Sequence, residues 1–165
     1  SSGSGAVGEV LLRTALRIRP HTYLSNAKWR LLAGHYMTDQ VFDSICFDAY
    51  EGVVVERARP DFVTLLKNCR LSISQGGYNT LMEVLATGAI GIAIPYSGGQ
   101  ETEQTLRAKL LEERGLLRQI PETCLTDKML INSVNDTRNE CRGKSANIKM
   151  DGASNSAKLL ASWVA

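Results

Sequence analysis

The sequence predicts an α/β fold, a parallel sheet with helices packed on both faces, and three observations carry the prediction. Stretches with the apolar spacing of a helix alternate along the chain with short runs rich in β-branched residues. One such run, Ala89-Ile90-Gly91-Ile92-Ala93-Ile94, is apolar at every position, which suits a strand buried on both faces. Strands separated by helices in this order form right-handed βαβ units, so the strands run parallel.

Each element has its own warrant. Val7, Val10, Leu11, Thr14, Ala15 and Ile18 mark one face of a first helix, which stops at Arg19 because the proline after it disfavours helical backbone. Trp29 to Gly34 reads as a strand, Thr38 to Tyr50 as a short helix, and Gly52 to Arg57 as a second strand. After Pro60, the residues Phe62, Leu65, Leu66 and Cys69 return to helical spacing, and Leu71-Ser72-Ile73-Ser74 then alternates as a strand does. A helix from Asn79 to Thr87 closes at Gly88, the apolar run to Pro95 follows, and a helix from Thr102 to Arg114 closes at Gly115. Leu116 to Ile120 adds a short strand. Helices near Asp127 to Val134 and Ser154 to Trp163 end the chain, separated by a polar loop from Thr137 to Gly152. The architecture expected is Rossmann-like.

The bulk numbers bound the function. A chain of 165 residues, 44% hydrophobic and 22% charged, fits one soluble domain around one core. Its 19 basic and 17 acidic side chains leave a formal net charge of +2, too little for the footprint of a nucleic-acid binder. No apolar run approaches the roughly 20 residues of a membrane span. Cys46, Cys69, Cys124 and Cys141 stand apart with no CxxC pair, and only His21 and His35 supply imidazole. Neither a zinc site, a disulfide framework nor a histidine-based triad is expected. The expectation is a cytoplasmic domain that needs no metal and no cofactor.

Ligands of an open parallel sheet bind beyond the carboxyl ends of its strands, where loops lead into helix N-termini with free N–H groups and roughly half a positive charge. Three loops have the composition for this. The first, Ser1 to Gly8, contains Gly3-Ser4-Gly5-Ala6-Val7-Gly8, a GxGxxG sequence whose Gly3, Ser4 and Gly5 let a backbone approach a phosphate. Such a loop normally leaves a strand, so a strand is expected ahead of Ser1. No acidic residue lies about 20 positions further on, where His21 stands, which counts against a dinucleotide.

The second loop, Ser74-Gln75-Gly76-Gly77-Tyr78-Asn79-Thr80, joins a strand to a helix and offers Ser74, Gly76, Gly77, Asn79 and Thr80 as an anion cradle. Glu83 follows Thr80 at the spacing of a capping box, in which its carboxylate would only bind a backbone N–H. The other reading is a carboxylate one turn into the helix that accepts hydrogen bonds from a ribose. The third loop, Tyr96 to Gln104, is polar and glycine-rich. Gly98, Gly99, Glu103 and Gln104 would meet a hydroxylated ligand there, or else the acidic side chains merely complement the next helix dipole.

Taken together, Ser74-Gln75-Gly76-Gly77-Tyr78-Asn79-Thr80-Leu81-Met82-Glu83, then Gly88, Ile94-Pro95, and Glu103-Gln104 ahead of Arg107-Ala108 resemble a known family. The series is similar to the donor-binding C-terminal domain of GT-B glycosyltransferases, in the group that contains the peptidoglycan-precursor N-acetylglucosaminyl transferase. The resemblance implies that Gly76, Gly77 and Thr80 face a diphosphate, that Glu83 binds the ribose, and that Glu103 and Gln104 reach the hydroxyls of the donor sugar. The group carries two glutamines at that last pair, so Glu103 is a departure and points to a different donor sugar.

The resemblance further implies one half of a GT-B fold. Its ligand is a nucleoside-diphosphate sugar, UDP-linked by family habit, from which the sugar passes to an acceptor hydroxyl. The catalytic base, the acceptor site, the first strand and the N-terminal domain are expected outside residues 1–165, and any membrane contact would fall to that other domain. The half alone is expected to bind nucleotide without turnover, because such a site is completed when two domains close. Two other readings stay open: a non-catalytic nucleotide- or dinucleotide-binding module, and a nucleotide-sugar epimerase.

Overall fold

The computed structural model describes residues 1–3, 8–98, 102–142 and 152–164. In chain order the elements are α1 Glu9–Ile18, β1 Trp29–Ala33, α2 Asp39–Phe47, β2 Val53–Arg57, α3 Phe62–Asn68, β3 Ser72–Gln75, α4 Tyr78–Thr87, β4 Gly91–Ile94, α5 Glu103–Glu113, β5 Arg118–Gln119, α6 Asp127–Asp136 and α7 Gly152–Val164. Helix and strand alternate as expected, and boundaries move by no more than three residues.

Local chemistry sets those boundaries. Thr38 and Thr126 cap α2 and α6 by accepting the N–H of Val41 and Met129. Gly88 ends α4 at φ 64°, with its own N–H on the carbonyl of Leu85 and that of Ala89 on Val84, a left-handed stop that favours glycine. Val10, expected on the buried face of α1, is 63% exposed. The buried stripe is centred near Ala15, and five residues back along a helix is about 140° around the cylinder.

β1 pairs with β2, and β3 with β4 and β4 with β5, all parallel. The two ladders are joined by the first residues of the chain. Ser1 donates its amino group to the Ile73 carbonyl and accepts from the Gln75 N–H, at 2.7 and 3.1 Å, so it sits opposite Ser74 in a parallel ladder. Ser2 donates to the Leu32 carbonyl at 2.9 Å, and its hydroxyl accepts the Gly34 N–H at 2.9 Å. With Ser1-Ser2 counted as a strand end, the spatial order is β2, β1, Ser1-Ser2, β3, β4, β5. That is the doubly wound order 3-2-1-4-5-6, in which the strand direction of travel reverses between Ser1-Ser2 and β3.

Both faces are covered. Leu11 and Ile18 of α1 pack with Ile92, Ile94, Ile120, Leu130 and Val134, while Leu12, Ala15 and Leu16 meet Leu31, Ala33 and Ile45. On the opposite face Ala93 lies among Leu81, Leu85, Ala108 and Leu111, and Val84 among Leu66 and Ala89. β4 thus sends alternate side chains into opposite layers, and every one of its residues is buried. Arginines fasten the C-terminal part: Arg70 donates to the carbonyls of Thr137, Arg138 and Glu140, and Arg142 to those of Leu66, Cys69 and Thr87. In α7, Leu159, Leu160 and Trp163 are exposed.

Candidate functional site

The reversal point of the strand order is where a ligand crevice opens in such sheets, outside the carboxyl ends of the strands. Two of the three expected loops leave the sheet there. Gly3 follows Ser2 at φ 66°, and among the described residues nothing lies within 4 Å of where its Cβ would be. Its N–H binds the Ser1 hydroxyl at 3.2 Å. Ser4 and Gly5 lie outside the described residues. Gly8 is the N-cap of α1, at φ 118°; a Cβ there would fall 2.3 Å from that of Ser2.

The second loop leaves β3 beside the first. Ser74 belongs to the strand and is 2% exposed, so it lies beneath the cradle rather than on its surface. Gly76 is pressed against the next strand exit: its N–H binds the Ile94 carbonyl, and a Cβ would lie 2.9 Å from the Cα of Pro95. Gly77 is different, with open space around it and an ordinary φ of −58°.

Gly77 is also the N-cap of α4, and among the described residues no side chain caps that end. The first N–H groups of the helix therefore point outward from its first turn, the arrangement that attracts an anion. Since the helix starts at Tyr78, Thr80 is inside it and not its cap. The capping-box reading of Glu83 thus fails. Asn79 and Glu83 stand one turn apart on the same helix, and the Glu83 carboxylate makes no hydrogen bond or ion pair among the described residues.

The third loop is tied to the second. Gln104, in the first turn of α5, accepts the Tyr96 N–H on its side-chain oxygen at 3.2 Å, and the same oxygen lies against Gly76. Tyr96 folds over Gly98, where a Cβ would overlap the phenol ring. Gly99 lies outside the described residues. Glu103 forms an ion pair with Arg107 one turn on, and the Arg107 guanidinium stacks 5.0 Å from the centre of the Tyr78 ring. The start of α5 is so fastened to the start of α4.

Gly3, Gly76, Gly77, Thr80, Glu83, Glu103 and Gln104 are thus distributed over adjoining loops and the first two turns of the helices beyond the carboxyl ends of the strands. Three residues outside the expected set organise it. Arg107 and Tyr78 link the two helices, a pairing whose Glu103 to Arg107 half is legible as an i, i+4 spacing. Glu122, in the turn after β5, accepts the Ser97 N–H at 2.9 Å and fixes the third loop; it has no local sequence signal.

The comparisons with known proteins bear on the family and the fold. Residues 11–162 match the model of the glycosyltransferase family 28 C-terminal domain. The chain belongs to that family. A relative, the UDP-N-acetylglucosamine--N-acetylmuramyl-(pentapeptide) pyrophosphoryl-undecaprenol N-acetylglucosamine transferase of Crocosphaera subtropica, is 32% identical over 103 residues. The match takes in 58% of this chain and 30% of the relative's length.

Solved structures share the fold. The spinosyn forosaminyltransferase SpnP superposes with a TM-score of 0.64 at 20% identity, over 85% of this GT28 chain and 34% of the other. MurG of Acinetobacter baumannii gives 0.60 at 16% identity, over 80% and 38%. The domain is therefore the Rossmann-like half of a GT-B glycosyltransferase fold.

Proposed function

We propose that this GT28 domain binds the nucleoside diphosphate of a sugar donor, UDP-linked, at the exits of Ser2 and β3. The observation that carries the reading is the start of α4. Its uncapped N–H groups, reached over a glycine with no side chain and open space, adjoin a second glycine exit at the reversal point of the sheet. Membership of family 28 supports this donor class, as does the UDP-sugar that the Crocosphaera relative is named for.

In the proposed reaction, an acceptor hydroxyl oxygen bonds to the anomeric carbon while the bond from that carbon to the terminal phosphate oxygen breaks. Negative charge grows on the departing diphosphate. The N–H groups and dipole of α4 meet that charge where it forms, already oriented, and so stabilise the transition state more than the bound donor. Glu83, one turn in, is assigned to the ribose hydroxyls. Glu103 and Gln104 are assigned to the sugar, with Gln104 also holding Tyr96 in place. The hydroxyl proton goes to a base outside these residues, in an N-terminal acceptor domain of the same protein.

The dinucleotide reading has less support. In dinucleotide folds an acidic residue at the end of the second strand binds the adenosine ribose. β1 occupies that place and is followed by Gly34 and His35. The nearby Asp39 is engaged by Arg57.

The test is release of free nucleoside diphosphate from UDP-, GDP-, ADP- and TDP-sugars by a protein that contains this domain together with its acceptor domain. Turnover of a UDP-sugar, with residues 1–165 alone inactive, is the expected result. Turnover by the domain alone would overturn the two-domain assignment.

A further inference from the structure

The ion pair at the start of α5 is built unevenly. The Glu103 side chain is 76% exposed, while that of Arg107, which holds it, is 16% exposed. An exposed i, i+4 pair is ordinarily loose, because two long side chains give up their freedom for an attraction that water screens. Here the cation has a second anchor: its guanidinium lies over the ring of Tyr78, 5.0 Å from the centroid. Arg107 is therefore fixed from behind and presents the Glu103 carboxylate outward from a set position.

The pair stands between two helix starts. Tyr78 is the first residue of α4 and Glu103 the first of α5. Gln104, the next residue, lies against Gly76 at the exit of β3. A sugar carried by a diphosphate at the start of α4 has the start of α5 as its neighbour, and on that donor reading the inference rests. A carboxylate is acceptor-only and takes hydroxyl donors, whereas a glutamine both donates and accepts. A sugar that itself ends in a carboxylate has no proton to offer at neutral pH and brings a like charge beside Glu103, a penalty that discriminates between ligands. The same repulsion acts between Glu103 and the diphosphate unless it is balanced. Arg107 balances it, since the ion pair carries no net charge.

We propose that Arg107 positions and neutralises Glu103 as an acceptor for sugar hydroxyls, and that the pair selects a nucleoside diphosphate joined to an uncharged hexose over one joined to a uronic acid. Arg107 acts through Glu103 and is a positioning residue.

The experiment is calorimetric titration of residues 1–165 with UDP and with two matched pairs, UDP-glucose with UDP-glucuronic acid and UDP-galactose with UDP-galacturonic acid. Within each pair the sugars differ only in whether C6 is an alcohol or a carboxylate. The parent, Glu103→Gln, Arg107→Met and the double variant are compared, with Tm measured for each. The parent is expected to favour the neutral member of at least one pair by about tenfold or more. Glu103→Gln alters an exposed side chain and should keep Tm and the affinity for UDP, while the preference falls below about threefold. Arg107→Met should weaken binding of the neutral sugar nucleotide at least about tenfold, and far less where Glu103 is already replaced, because a neutral amide needs no counter-charge. Failure of the parent to bind UDP would overturn the donor reading and this inference with it. UDP binding with equal affinity within both pairs, or a preference unchanged in Glu103→Gln, would overturn the selection alone. An equal effect of Arg107→Met with and without Glu103 would overturn the positioning role, since a mere brace between α4 and α5 acts the same in both backgrounds.

Discussion

Gln104 accepts the backbone N–H of Tyr96 at 3.2 Å, with the same oxygen lying against Gly76, so one side chain joins all that surrounds the exits of β3 and β4. A residue expected only to touch a sugar is also a strut. Gln104→Ala should cost about 1 kcal/mol, the net worth of a typical hydrogen bond, and loosen the third loop. Gln104→Glu keeps the acceptor and should retain stability while changing which donor sugar is used. Thermal unfolding of the two variants separates the roles: equal loss of Tm in both would show that the oxygen is not what holds Tyr96.

The two glycines of the second loop make a matched pair. A Cβ at Gly76 meets the main chain of Pro95 at 2.9 Å, which cannot move without shifting β4. Gly76→Ala is expected to cost about 1–3 kcal/mol. Gly77 has open space and an ordinary φ, so Gly77→Ala should stay within about 0.5 kcal/mol of the parent. It should nevertheless weaken nucleoside diphosphate binding, because its methyl group would take up open space at the α4 N-cap that the proposed diphosphate needs. A Gly77→Ala protein with unchanged stability and unchanged affinity would remove the diphosphate from this loop.

Gly52 offers a control far from the site. Its φ is 84°, and a Cβ would lie 2.2 Å from the buried guanidinium of Arg19, which itself donates to the Ala27 carbonyl. Gly52→Ala combines left-handed strain with a displaced arginine, for an expected loss of about 2–4 kcal/mol. Calorimetry should then find the same nucleotide affinity in whatever fraction stays folded.

Acid should weaken the contact between α1 and α6. Hydrogen bonds from Arg17 hold the Asp127 carboxyl below its ordinary 3.8, with the residue also in the first turn of α6. A carboxylate whose pKa is depressed on folding adds stability that is complete above its unfolded pKa and is lost as pH falls through the folded one. Tm curves of the parent and Asp127→Asn should differ near pH 6 and converge as pH falls through the folded-state pKa of Asp127. The pair is half exposed, so the gap should shrink in high salt. A constant gap from pH 6 to pH 2 would contradict this account.

The fold is largely legible in the sequence because burial on two faces leaves a strong imprint. Ala89 to Pro95 is apolar throughout, and Gly88 and Gly115 fall where left-handed stops are observed, at φ 64° and 67°. Val10 departs from expectation because an apolar residue at the edge of a stripe satisfies i, i+4 spacing without facing the sheet. In the site, Gly76, Gly77 and Glu83 are visible as a loop leading into a helix. Arg107 on Tyr78, Glu122 on Ser97 and the arginine latch of Arg70 and Arg142 are not, since each joins segments distant in sequence or depends on how two helices approach.

The central claim is that the start of α4 holds a nucleoside diphosphate with Glu83 on its ribose. Calorimetric titration of residues 1–165 with UDP, GDP, ADP, TDP and NAD, repeated on Glu83→Ala, tests it most directly. The account predicts that UDP binds, that Glu83→Ala weakens it at least about tenfold, as loss of charge-assisted hydrogen bonds requires, and that the variant unfolds at the parent's temperature. Binding of NAD alone, or UDP affinity unchanged in Glu83→Ala, would contradict it.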